Sequence, residues 1–213
     1  MKICEIFTSI QGESSYAGLL CHFIRLMGCN LRCLYCDTTY AYYEGEEIAV
    51  EDILSFIKSK DCSIRLVEIT GGEPLLQPDT PRLIEKLIDE GYKVLVETNG
   101  SYSIEVIDKR AVIIMDIKTP GSGMDGYNLI ENISYLKPTD ELKFVITNRF
   151  DYEWSREFCK KYKGEIKSSI LFSPSFNHLK PSVLAEWIIE DSLPVRLNLQ
   201  IHKFIFHPFK RGV

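Results

Sequence analysis

A chain of 213 residues with 45 % hydrophobic and 26 % charged side chains has apolar material for one domain-sized core. Its formal net charge of −5 excludes a polyphosphate-binding surface spread over the whole molecule, and with it broad nucleic-acid affinity. No stretch approaches the roughly 18 uninterrupted apolar residues of a membrane helix, and the start, MKICEIFTSIQGE, lacks the apolar centre of a signal peptide, so a cytoplasmic protein without membrane contact is expected.

Short β-branched runs read as buried strands at 20–26, 64–70, 92–98, 111–117, 141–147, 169–173 and 195–201. Helical periodicity falls between them at 50–60, 80–90, 127–136, 151–163 and 181–190. The 80–90 pattern is the clearest, with Thr80 suited to the N-cap, Pro81 to the first turn and Gly91 to the position after the last turn. Leu83, Ile84, Leu87 and Ile88 make its apolar stripe. Strand–helix alternation predicts an α/β fold with parallel strands and right-handed crossovers. The chain is shorter than the roughly 250 residues of a full eight-fold barrel. An incomplete TIM-like barrel of parallel strands with outer helices, one domain over 1–213, fits better. Function in such a fold gathers at the C-terminal ends of the strands. The polar, glycine-bearing loops CNLRCLYCDT, TGGEP, ETNG, DIKTPGSG and SPSF all fall there.

Seven cysteines are an odd number for a disulfide framework. Cys4, Cys21, Cys62 and Cys159 stand singly among apolar or helical neighbours and read as small buried hydrophobes. Cys29, Cys33 and Cys36 share one loop, and soft thiolates at that spacing favour an iron–sulfur cluster or zinc. Structural zinc takes four protein ligands, and no fourth Cys or His follows at a usual spacing. Iron–sulfur is therefore the leading reading, with zinc and unligated thiols behind it. Three thiolates on a [4Fe–4S] cluster leave one iron open to an outside ligand.

The CxxxCxxC pattern, with Tyr35 before its last cysteine, and Gly71-Gly72-Glu73-Pro74 at the end of the next predicted strand resemble the radical S-adenosylmethionine (SAM) superfamily. Phe7 to Glu13 (FTSIQGE), Phe23 to Leu26 (FIRL), Asp37-Thr38 and the ending from His202-Lys203 to Val213 narrow the resemblance to the 7-carboxy-7-deazaguanine synthase family, along the whole chain but thinly from 120 to 195. The resemblance implies a [4Fe–4S] cluster on Cys29, Cys33 and Cys36, SAM on its open iron, and Mg2+. It implies a lyase that contracts the ring of 6-carboxy-5,6,7,8-tetrahydropterin with loss of ammonia, in queuosine and deazapurine biosynthesis. An electron donor such as flavodoxin or ferredoxin is implied, and a homodimer is suggested.

Positions matching the family's motifs acquire expected roles. Ile10, Gln11, Gly12 and Glu13 resemble a pterin-binding segment, whose amides and carboxylate read a planar donor–acceptor edge. Arg25 resembles the residue that clamps the substrate carboxylate, a task for a bidentate fork, although a simple ion pair is the plain alternative. Thr38 resembles the Mg2+ ligand and Thr70 a substrate contact. Gly72 and Glu73 resemble the SAM-binding loop, as do Asp116, Ile117 and Lys118 at one strand end and Ser173, Pro174 and Ser175 at another. Ordinary turn chemistry explains the latter segment, and Asp37, equally well. Tyr35 either packs by the adenine or shields the cluster. His202 and the carboxylate of Val213 resemble pterin contacts. One departure stands out: Ser14 occupies the last position of what the family usually shows as Gln-Gly-Glu-Gly, and a left-handed backbone there would strain it.

Two other readings compete. A glycyl-radical-enzyme activating enzyme shares the cysteines and GGEP but needs a groove for a polypeptide loop. A zinc-stabilised, non-catalytic α/β binding module needs no cluster at all. Oxygen-free purification separates the last from the rest: iron–sulfur predicts a brown protein whose iron and colour vanish on alanine substitution at Cys29, Cys33 or Cys36, whereas the zinc module predicts a colourless protein carrying one zinc.

Overall fold

The computed structural model describes residues 1–60 and 63–213, so the reading of Cys62 lies outside the described residues. Its framework is a nine-stranded sheet. The strands are β1 (Lys2–Ile10), β2 (Leu20–Leu26), β3 (Glu46–Glu47), β4 (Leu66–Gly71), β5 (Lys93–Thr98), β6 (Val112–Ile117), β7 (Glu141–Ile146), β8 (Ser169–Pro174) and β9 (Arg196–Leu197). Their spatial order is β3-β1-β2-β4-β5-β6-β7-β8-β9, an open sheet with the form of a partial barrel. From β2 through β9 every pairing is parallel. The helices are α1 (Val50–Lys58), α2 (Thr80–Asp89), α3 (Arg149–Lys161), α4 (Pro181–Glu190) and the single turn α5 (His202–Ile205).

Alternation divides the sheet into two chemically different faces. Ile24, Leu26, Val67, Ile69, Val94, Val96, Ile113, Met115, Phe144 and Phe172 join the large core that also takes the helix stripes. In α2, Leu83, Ile84 and Leu87 are fully buried, and α1 contributes Ile53, Leu54 and Ile57. The opposite face holds a smaller apolar cluster of Cys21, Phe23, Leu66, Leu95, Val112 and Ile114, against which Phe7 and Tyr16 pack. No helix among the described residues is long and apolar enough to cross a membrane.

Several local expectations are corrected. The sheet is not wholly parallel: β1 pairs antiparallel with β2 on one side and with β3 on the other. The stretch 127–136 is not an α-helix but lies over short 3-10 turns, Asp125–Tyr127 and Ile130–Tyr135. Asn132 explains this, because its fully buried amide accepts from the Ile104 N–H at 3.1 Å and donates to the carbonyls of Gly100 and Tyr102. Those long-range bonds fix the turn against the loop after β5 and override local helical periodicity. The run 195–201 is strand only at Arg196–Leu197. Beyond it, Asn198 Oδ1 and the Ile201 N–H bond the loop after β1 instead of continuing the ladder with β8. Asp79 takes the N-cap position of α2 and Thr80 opens the helix; the Thr80 hydroxyl donates to Pro74 O at 2.6 Å. The helix α3 starts two residues earlier than 151, where Asn148 caps it by accepting from the Asp151 N–H at 3.0 Å. Cys21 and Cys159 are buried as read, but Cys4 is only half-buried.

Where strand pairing stops, side chains tie the two flanks of the sheet together. The Ser14 N–H donates to Asn198 Oδ1 and the Ser15 N–H to Glu141 Oε1, both at 2.8 Å, while the Ile201 N–H donates to Gly12 O at 2.8 Å. The loop after β1 is thereby pinned beside the loop after β9. In this packing, Phe144→Ala is expected to lower stability by about 3–5 kcal/mol, because the ring sits fully buried between Phe158 and Phe172. Ile189→Ala, at a position 74 % exposed, is expected to change it by less than about 0.5 kcal/mol; urea midpoints read both.

Candidate active site

The helix-free face of the sheet ends, at the strands' C-terminal edge, in a cavity of about 670 Å³. That is a volume suited to a small-molecule site. Register sets its lining. Arg25 lies beside Thr70, Glu97 beside Ile114, and Asp116 beside Lys143, so these side chains share one face. The acids of β4, β5 and β6 follow apolar residues two positions earlier: Glu68 follows Leu66, Glu97 follows Leu95, and Asp116 follows Ile114. The result is an apolar floor, a charged layer above it, and loops at the rim.

The cluster loop forms one wall, with Cys29, Cys33 and Cys36 all facing the cavity. Among the described residues no three His, Cys, Asp or Glu side chains converge on a single ion, which a mononuclear zinc site requires. A four-iron cluster instead takes one thiolate per iron. Burial raises the Cys29 and Cys33 thiols, so their thiolate forms need a cationic partner, which iron supplies. The Leu31 N–H and Asn99 Nδ2 donate to Cys29 Sγ at 3.4 and 3.8 Å, the kind of bond that tunes cluster potential. Tyr42 hydrogen-bonds Cys36. The residues present fit the cluster.

The GGEP loop runs directly beneath this wall. The Glu73 N–H donates to Gly28 O at 2.8 Å, and a Cβ on Gly72 would lie 1.9 Å from that same carbonyl oxygen and 2.9 Å from Cys29 Cβ. Only glycine permits such an approach. Glu73 is fully buried and absent from the cavity wall; its carboxylate accepts from the Thr98 hydroxyl at 2.8 Å and from the N–H groups of Leu75 and Asn99 at 3.0 and 2.7 Å. Its place is behind the loop, bracing it against the end of β5.

The charged layer centres on Lys143. Its ammonium bridges Glu97 and, at 3.2 Å, Glu13. Burial would discharge it, but Glu13, Glu97 and Asp116 raise its pKa well above the usual lysine value. Burial likewise pushes Glu13 up, yet Lys143, His202 and the Gln200 amide outweigh this and hold it below the usual range. Among the described residues Glu68 forms no such ion pair. Burial first, then Glu97 and Glu13, raise its pKa well above the ordinary carboxylate value, and Gln11 Nε2 donates to it. Beside this layer, burial works against charge on Lys118, but Asp116 at 2.8 Å keeps the ammonium protonated. Asp116 Oδ1 and the Tyr35 hydroxyl are buried without a hydrogen-bond partner among the described residues, two polar atoms left for a ligand to satisfy.

Of the residues expected from sequence, Ile10, Gln11, Gly12, Glu13, Arg25, Tyr35, Asp37, Thr38, Thr70, Gly72, Asp116, Lys118, Ser173, Pro174, Ser175, His202 and Val213 all line this cavity. Glu73 and Ile117 do not; Ile117 points into the helix-side core. Arg25 Nε pairs with Glu5 at 2.8 Å, the plain alternative offered for it, and the side chain also faces the cavity. Lys203 pairs with Asp37 and, against the effect of burial, holds its carboxyl at about 2. Burial lowers His202, so its imidazole is neutral at pH 7. A Cβ on Gly12 would meet His202 Nδ1 at 1.9 Å. Ser14 does adopt the left-handed backbone, with φ 63, and is buried; its N–H on Asn198 and its hydroxyl, accepting from the Tyr16 N–H at 3.2 Å, hold it there. Sequence reasoning missed Glu68, Glu97, Lys143, Asn198, Gln200 and Lys203. For the first three a signal existed: single charges inside apolar strands, in LVEIT, VLVET and ELKFVI.

The radical SAM superfamily model matches residues 24–171, and the chain is a member of that superfamily, whose enzymes use a [4Fe–4S] cluster and SAM. It is 45 % identical over the full length of both chains to a 7-carboxy-7-deazaguanine synthase of Koribacter versatilis. It is 43 % identical, over all of this chain and 97 % of the other, to one from Chlorobaculum tepidum. The chain thus belongs to the 7-carboxy-7-deazaguanine synthase family. Its fold matches the crystal structure of QueE from Escherichia coli with a TM-score of 0.78 at 22 % identity, covering 93 % of this chain and 92 % of that one.

Because the Gly72–Gly28 approach leaves no room for a methyl group, Gly72→Ala is expected to displace the cluster wall. Iron per chain after oxygen-free reconstitution should fall severalfold, while far-ultraviolet circular dichroism stays that of the parent.

Proposed function

We propose that this chain, acting as one radical SAM domain over residues 1–213, is a cytoplasmic 7-carboxy-7-deazaguanine synthase. It converts 6-carboxy-5,6,7,8-tetrahydropterin to 7-carboxy-7-deazaguanine with loss of ammonia, on the route to queuosine and other deazapurines. The observation that carries this reading is the sharing of one cavity by three cysteine thiols and a buried carboxylate layer, in a chain 45 % identical end to end to such a synthase.

In this reading Cys29, Cys33 and Cys36 hold the cluster and leave one iron for SAM. When bound, the cluster and SAM would supply the radical chemistry that activates the pterin. The protein's task is to orient and to exclude water. Gly72 lets SAM approach the backbone, and Asp116 with Lys118 offers a carboxylate and an ammonium to its polar groups. Ile117, its side chain turned into the core, has only its backbone to offer. Tyr35, Asp37, Ser173, Pro174 and Ser175 complete the SAM side, with Glu73 bracing from behind. On the pterin side, Ile10, Gln11, Gly12, Glu13, Thr70, His202 and the Val213 carboxylate surround the ring, while Arg25 meets the substrate carboxylate. The Thr38 hydroxyl, which donates to Asp37 at 2.9 Å, lines the cavity and serves Mg2+ as a single protein ligand. Oxygen atoms of substrate and water would complete its coordination. A one-electron donor such as flavodoxin or ferredoxin supplies the reducing equivalent, and two copies pair as a homodimer.

The test is oxygen-free turnover with SAM, dithionite, Mg2+ and carboxytetrahydropterin, read by mass spectrometry. Formation of 7-carboxy-7-deazaguanine is expected; cleavage of SAM without that product rejects the substrate assignment. Arg25→Lys replaces a fork by a point charge and is expected to raise the KM for the pterin about tenfold or more, the loss of one charge-assisted bond of about 1.5–3 kcal/mol.

A further inference from the structure

Three acids from three elements face the pterin end of the cavity: Glu13 after β1, Glu68 on β4 and Glu97 on β5. The cation in contact with two of them is Lys143 of β7, whose side chain is only 6 % exposed, whereas Glu13 and Glu97 retain 21 % and 29 % of their surface. The lysine lines the same cavity but is set deeper than the carboxylates it bridges. Each carboxylate is held at both oxygens. Glu13 accepts from Lys143 and, at 2.8 Å, from Gln200; Glu97 accepts from Lys143 and, at 3.2 Å, from the Thr70 hydroxyl. A carboxylate oxygen has two acceptor sites, so each arm keeps capacity towards the cavity.

We infer that Lys143 is a positioning residue that fixes Glu13 and Glu97 as a pair of acceptor-only arms, selecting a heterocycle edge that presents N–H donors. The inference rests on the pterin reading of the site, since a 2-amino-4-oxo ring carries that edge. The physical ground is charge sharing. Two carboxylates on one ammonium in a poorly solvated cavity both stay ionised; without the ammonium one of them takes up a proton. A protonated arm presents an O–H towards the ligand's own N–H, and recognition is lost. Glu68, which forms no ion pair with the lysine among the described residues, has its pKa raised by burial and by the two neighbouring carboxylates. Other groups act on the pair as well: His202 of α5 and Asp37 beyond the cluster loop face Glu13, Asp116 of β6 faces Lys143, and Arg25 of β2 acts on Glu68. Of these His202 acts on both arms, and among the described residues none forms an ion pair with either.

The experiment measures binding of oxidised 6-carboxypterin, a fluorescent probe that does not turn over, to the reconstituted holoenzyme with SAM at about pH 6 and about pH 7.5, on either side of the histidine range. For the parent protein the affinity is expected to change less than about twofold between the two. Lys143→Met is expected to weaken binding about tenfold or more at the lower pH and to recover most of it at the higher, as one arm regains its charge. Lys143→Arg keeps the cation and should restore the flat profile. Adding Glu97→Gln to Lys143→Met removes the repulsion between the arms and should abolish the pH dependence. A merely structural role for Lys143 would produce none of these pH effects, and a Lys143→Met profile parallel to the parent's overturns the inference. Carboxyl 13C resonances of glutamate-labelled, ligand-free holoenzyme give a reading independent of the probe: one glutamate pKa should rise in Lys143→Met, and unchanged titrations overturn the idea. Failure of the parent protein to bind the probe overturns the pterin reading instead, and with it the ligand named here.

Discussion

Charge buried on an otherwise apolar sheet has to be balanced in place, and the site of this protein is organised around that constraint. One face of the sheet carries three acids and a lysine where β4 to β7 near their C-terminal ends: Glu68, Glu97, Asp116 and Lys143. Glu13 joins from the loop after β1 and Lys118 from the end of β6. Two lysines pair with Glu13, Glu97 and Asp116, and burial raises the pKa of the remaining acid, Glu68, well above its usual value. This balance lets the polar layer sit on an apolar floor without the heavy penalty of an isolated buried ion. It also fixes which groups present negative charge to a ligand.

Close backbone approach does comparable work at the rim. The cluster loop belongs to β2 and the GGEP loop to β4, neighbours in the sheet but separated by about forty residues of chain. Their meeting at Gly28 and Gly72 sets cysteine ligands beside a SAM-sized space, and Glu73 locks the arrangement from the interior. A left-handed Ser14, held by Asn198, shows a different solution to a tight turn. Strain of about 1–2 kcal/mol is offset there by two local hydrogen bonds, and the loop keeps its shape without glycine.

An open sheet leaves a flank to be covered. Here the loop after β1 is bonded to the segment after β9 through Ser14 and Gly12, and to β7 through Ser15. The same segment contributes Gln200, His202 and Lys203, which act on Glu13 and Asp37. Closing the flank and finishing the site are therefore one structural event. Secondary structure contributes little to it, which is why the run 195–201 looked like a strand and is mostly loop.

The sequence alone determined the strand–helix alternation, the cysteine trio, the GGEP loop and the family, because each is written in contiguous residues or in short periods. Apolar runs revealed β2 and β4 to β8, and the same property hid Glu68, Glu97 and Lys143, whose lone charges interrupt patterns otherwise read as core. Tertiary structure alone decided that β1 is an antiparallel strand, that Asn132 turns a helical pattern into 3-10 turns, and that Glu73 stands behind the cavity wall. It alone brought Lys143 between Glu13 and Glu97, 130 and 46 residues away along the chain. The reason is physical: period and motif describe neighbours along the backbone, whereas the charge state of a buried acid depends on what the fold places across from it.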